Sequence, residues 1–178
     1  MHFDIWKLAE YNIITSLLFL SAAWRWGNWR NWQKYYPTIL FVMVINFAYG
    51  YITYNQPLWQ IESPLLKTTL SDFFVTLIGY PSIVLLFLSH YPAGIYKRII
   101  YISLWALLHL MLVEVVSLQL GFFSYHNGWN IRYALLFEFL MFPMFRIHYK
   151  KPLLAWIITF ALTAVGGLWF GLSISNMK

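Results

Sequence analysis

The chain has 178 residues, of which 61% are hydrophobic and 10% charged, with a mean hydropathy of +0.61. Soluble domains average about 25% charged residues, so this composition excludes a mainly water-facing surface and makes lipid the expected solvent. The net charge of +6 lies beside apolar stretches, which argues against nucleic acid as a partner, and the absence of cysteine excludes disulfides and thiolate or thiol redox chemistry.

A bilayer span needs about 20 apolar residues. Six stretches qualify: 5–24, 38–54, 72–90, 99–120, 131–147 and 152–174. Lipid offers the backbone no hydrogen-bond partner, so continuous apolar runs are read as helices. Barrel strands would alternate instead. The predicted class is all-α: a single-domain polytopic bundle of six transmembrane helices covering 1–178.

The first span competes with a signal peptide, since Ser21-Ala22-Ala23 resembles a cleavage site. Asp4 and Glu10 flank or interrupt its apolar core, and its positive charge follows that core. A signal peptide has the reverse order, so the reading is a retained span with its N-terminus outside. The next connection mixes aromatics and cations in Trp24, Arg25, Trp26, Trp29, Arg30, Trp32 and Lys34. That mixture suits a belt at anionic lipid headgroups on the cytoplasmic side.

The second connection carries Gln56-Pro57 and Ser63-Pro64 and reads as a loop or short re-entrant turn. The third span contains Pro81 and the fifth Pro143, and each proline is expected to kink its helix. The fourth connection, 121–130, holds Asn127-Gly128-Trp129-Asn130 and is turn-prone. In the last span Ala164, Gly167 and Gly171 offer small residues at intervals suited to close helix packing within the bundle.

Charge sets the orientation. Arg25, Arg30, Lys34, Lys97, Arg98, Arg146, Lys150 and Lys151 all fall in alternate connections, which contain no acidic residue. Basic loops stay in the cytoplasm, so both termini are expected outside.

Ionisable residues inside the spans are the candidate site. A charge at a helix centre costs about 2.5–3.5 kcal/mol on insertion scales and usually faces the bundle interior. The helix rise places Glu138 about 10 Å below the outer end of the fifth span, and His109 about 7.5 Å deeper than Glu114 in the fourth. Asp72 stands at the outer mouth of the third span; Asn46 and Asn12 lie in or near the same half, and Glu10 near the outer end of the first. The candidate ligand- or cation-binding set is therefore Glu114, Glu138, His109, Asp72 and Asn46, around a polar cavity opening outward. Glu114 and Glu138 are expected to point into the bundle, one of them approaching His109 or Asn46. The bland alternative is a hydrogen-bonded clamp between helices.

His109 and Glu114 are five residues apart, which a 3.6-residue period turns into about 140° around the helix. One helix therefore cannot present both to one ligand, and any site must be assembled across helices. No metal is named by this pattern and no cofactor is expected. Phosphate-binding, dinucleotide and nucleophile-elbow motifs are absent.

Three stretches carry a resemblance: Trp24 to Trp32 with Tyr36-Pro37; Asn127 to Asn130; and His148-Tyr149-Lys150-Lys151-Pro152-Leu153-Leu154-Ala155-Trp156. With them the chain resembles a family of small multi-span membrane proteins of endospore-forming Gram-positive bacteria. The resemblance implies a bacterial cytoplasmic or spore membrane and brings no catalytic residue. Three functions are open at this level: a transport or ligand-binding component, a non-catalytic accessory membrane protein, and a lipid-acting enzyme.

Overall fold

The computed structural model describes residues 11–63 and 68–173. The expectations for Glu10 and for the start of the first span fall outside them. Six helices follow in order: α1 (Tyr11–Trp26), α2 (Trp32–Ile52), α3 (Thr68–Ser89), α4 (Ile95–Leu120), α5 (Ile131–Lys150) and α6 (Pro152–Trp169). Four helical segments are long and apolar enough to cross a membrane: Trp29–Ile52, Thr68–Ser89, Ile95–Leu120 and Pro152–Trp169. The other two helices miss that standard for separate reasons. The described part of α1 has 16 residues, and α5 carries Arg132, Glu138, Arg146 and Lys150.

The helical expectation omits one feature. β1 (Trp59–Ile61) pairs antiparallel with β2 (Phe123–Tyr125), with Trp59 opposite Tyr125 and Ile61 opposite Phe123. Bonds from Glu62 N to the Phe122 carbonyl and from His126 N to the Leu58 carbonyl extend the ladder. Three-residue strands leave no periodic signal in a sequence. They pair because the bundle brings two connections together at one end. Gly121 and Asn127-Gly128 shape the return: Gly121 (φ 79°) closes α4 with Phe122 N bonding back to the Ser117 carbonyl, and Asn130 caps α5 by accepting from Arg132 N at 3.0 Å.

Helix α3 forms the centre. Its residues Ile83 to Leu88 are all buried, and Phe87 is enclosed by Tyr101, Trp105, Phe142 and Phe145. Helices α1 and α2 each pack on α3, α2 also packs on α5, and α4 and α6 pack on α5. Among lipid-facing helices, packing and interhelical bonds rather than water exclusion hold the elements together.

The connections alternate between two ends. The basic end gathers Tyr35 against Tyr149, Arg146 over Tyr91, and Asn28 N donating to Ser89 Oγ. The opposite end holds β1 and β2, with Phe170 against Trp129 and Tyr133.

Both span prolines lie within helices, and one packing expectation changes. Before Pro81, the helix widens into a π-turn over Val75–Gly79, so Pro81 sits in the first turn of the α-helical segment that follows. Pro143 lies inside a continuous α5. The expectation that Gly167 and Gly171 pack inside the bundle is overturned. A Cβ at either would meet nothing within 4 Å, and Gly171 (φ 63°) terminates α6, with Leu172 N bonded to the Gly167 carbonyl.

Candidate functional site

A second π-turn builds the site. It spans Leu110–Val115 in α4, immediately after His109, and contains Glu114. A π-turn bonds residue i to i+5 rather than i+4, so residues five apart share a face. This corrects the 140° estimate, which assumes an unbroken 3.6-residue period. His109 and Glu114 are therefore brought onto one side of α4, and Glu138 of α5 faces them. One ligand atom from each of the three lies within 4.8 Å of the other two.

The cluster is buried. His109 is 5% exposed, Glu114 8% and Glu138 0%. His109 Nδ1 and Glu138 Oε1 are 2.7 Å apart, a contact that ties α4 to α5. Tyr125 Oη donates to Glu114 Oε2 at 2.6 Å, tying β2 to α4. Burial first, and then the neighbouring Glu114 carboxyl, push the Tyr125 hydroxyl above the ordinary tyrosine range. It therefore stays protonated and available as a donor. Glu138 Oε2 is buried with no hydrogen-bond partner, as is Ser71 Oγ. Such an oxygen costs more than 1–3 kcal/mol, roughly, when its group is charged and unsatisfied. Among the described residues, no Lys or Arg pairs with either carboxylate.

Two cavities meet at His109. The larger, about 440 Å³, runs from the β1 end of the bundle past Asn46 and Asp72 to Tyr80 and His109. Asn12, Thr15 and Ser16 of α1 also line it. The smaller, about 30 Å³, is bordered by His109, Glu114, Glu138, Tyr80 and Trp129. A water needs roughly 10–15 Å³ of such space, so this chamber holds a water or an ion and no larger ligand.

The remaining candidates form a second polar group. Asn46 Nδ2 donates to Asp72 Oδ1 at 3.2 Å and to Thr76 Oγ1 at 2.7 Å, while the Thr76 hydroxyl donates to the Asp72 carbonyl at 2.7 Å. Asn46 thus bridges α2 to α3 and does not bond either glutamate. Asp72 and Asn46 line the entrance cavity, and His109 joins that cavity to the carboxylates. Trp24, Arg25, Trp26, Trp29, Arg30, Trp32 and Lys34 are all exposed at the basic end. The Trp29 indole is held by the Ala23 carbonyl at 2.6 Å.

Tyr125, Thr76 and Tyr80 are site residues that sequence reasoning missed. Thr76 and Tyr80 stand four and eight residues after Asp72, a helical stripe that could have found them. Tyr125 reaches the site through strand pairing, for which the sequence offers no spacing rule.

Fold and site together define a helical bundle with four membrane-length helices and a buried carboxylate–histidine cluster whose histidine also lines the larger cavity. Compared with protein-family models, curated proteins and solved structures, the chain matches none of them.

Proposed function

We propose that this chain is a polytopic membrane protein that binds or transports a small cation or cationic ligand through an outward-facing cavity. In this reading it crosses a bacterial cytoplasmic membrane six times with both termini outside. The basic Trp/Arg connection rests on anionic headgroups, and the β1–β2 end faces outward. The positive-inside bias and the grouping of alternate connections at opposite ends support that orientation. The endospore-former resemblance supports the bacterial setting.

One observation carries the function: two buried carboxylates and a histidine border a small chamber that shares His109 with the larger cavity, with no Lys or Arg paired to them among the described residues. A pure clamp accounts for the His109–Glu138 and Tyr125–Glu114 contacts but not for the partnerless Oε2 of Glu138. A cation, including a proton, supplies the missing charge. Asp72 and Asn46 form a polar step on the way in. The test is cation and proton flux into liposomes holding purified protein. Flux above empty vesicles, reduced at least tenfold by Glu114→Gln, is the expected result. Equal flux in protein-containing and empty vesicles would refute transport.

A further inference from the structure

We propose that His109, Glu114 and Glu138 bind one divalent transition-metal ion. The proposal deepens the cation-binding reading above by naming the ion class, and it rests on that reading for access through the cavity.

The donor geometry is nearly in place. Each of the three residues offers a ligand atom within 4.8 Å of the others. Two ligands at about 2.1 Å from a tetrahedral ion are about 3.4 Å apart. Side-chain shifts on the order of 1 Å therefore close the shell without moving a helix. Independent evidence comes from Glu138: its Oε2 is fully buried, lacks a partner, and belongs to a residue lining the small chamber shared with His109 and Glu114. An ion there satisfies that oxygen and balances charge that no described Lys or Arg meets. The chamber of about 30 Å³ leaves room for a water as the fourth ligand.

The donor chemistry selects the ion. One imidazole and two carboxylates suit Zn²⁺, Co²⁺, Fe²⁺ or Mn²⁺. Mg²⁺ and Ca²⁺ prefer six or more oxygens, and the cysteine-free chain offers no thiolate for Cu⁺. Tyr125 plays the orienting part, since its hydroxyl holds one oxygen of Glu114 and leaves the other free to turn toward the ion. The imidazole must give up any proton shared with Glu138 to ligate through Nδ1, so binding releases protons and weakens in acid.

The experiment uses the full chain purified in mild detergent with any affinity tag removed. Co²⁺ serves as an optical probe, and Zn²⁺ stoichiometry is read by elemental analysis after dialysis. The expected result is one Co²⁺ per chain with visible ligand-field bands of a four-coordinate N/O site, displaced by equimolar Zn²⁺. Glu114→Gln and His109→Gln should each weaken binding at least 100-fold, whereas Glu62→Gln, just past the end of β1, should leave it unchanged. Gln at 114 keeps an acceptor for Tyr125, and thermal unfolding verifies that each variant is folded. No stoichiometric binding, or binding that survives both cluster variants within threefold, would overturn the proposal. Cation flux without metal binding sinks this inference alone. Metal binding without flux leaves the site standing and sinks transport.

Discussion

Replacing His109 with Phe isolates the energetics of the cluster. Phe fills a similar volume, so the main loss is the contact between His109 Nδ1 and Glu138 Oε1. Glu138 is 0% exposed and cannot regain water without opening the α4–α5 contact. Removing one member of a buried ion pair typically costs about 3–5 kcal/mol. An ordinary hydrogen bond between membrane helices averages about 0.6 kcal/mol and reaches about 1.7 at most. The two magnitudes do not overlap, so the measurement decides between them. The metal-free variant in detergent should lose about 3–5 kcal/mol in denaturant unfolding followed by tryptophan fluorescence. The double variant His109→Phe, Glu138→Leu should recover most of that loss, because no charge is left stranded. A single-variant loss below about 1.7 kcal/mol, combined with additive effects in the double variant, would refute the idea that Glu138 is a buried charge awaiting a partner.

Other outcomes follow from other contacts. Tyr125→Phe removes the donor to Glu114 and should cost about 1.5–3 kcal/mol if that carboxyl is charged, read from the same unfolding curve. Gly27→Ala should destabilise by about 1–3 kcal/mol, because its Cβ would collide with the Ala23 carbonyl and reach within 3.0 Å of Leu85 Cδ2. Gly166→Ala, whose Cβ meets nothing within 4 Å, should instead be neutral or stabilise by up to about 1 kcal/mol; thermal melts of the two variants check the contrast. Cytoplasm-active reporter fusions at Gly94 should be active and those at Tyr125 inactive, and the opposite result would invert the proposed topology.

Much of the bundle was legible because its physics is coarse. Apolar length located all six helices, and the basic residues sorted the connections into the two groups that meet at opposite ends. Cost did the same for the site. A glutamate such as Glu138 is too expensive to face lipid, so its inward orientation followed from depth alone, and its approach to His109 was anticipated. What stayed hidden depended on contacts between segments distant in the chain. Asn46 bonds Asp72 and Thr76 rather than a glutamate, a choice set by how α2 lies against α3. Tyr125 reaches Glu114 only because β1 pairs with β2.

The instructive failure is the period. Treating α4 as uniform put His109 and Glu114 on different faces and ruled out a shared ligand on that helix. One π-turn reverses the conclusion, since it adds a residue to a single turn and rotates everything after it. The π-turn in α3 had a visible cue in Pro81, whose missing donor makes the regular ladder costly. The one in α4 runs through Leu110-Met111-Leu112-Val113-Glu114-Val115, which contains neither proline nor glycine. A widened turn there gives up regular i→i+4 bonding and gains a position for Glu114 beside His109, Glu138 and Tyr125. Its stability therefore rests on the cluster, and the cluster's geometry rests on it. Cutting the cluster with His109→Phe should loosen Leu110–Val115 before the rest of α4, seen as faster amide exchange confined to that turn. Uniform exchange along α4 would show that the turn is held by backbone packing alone.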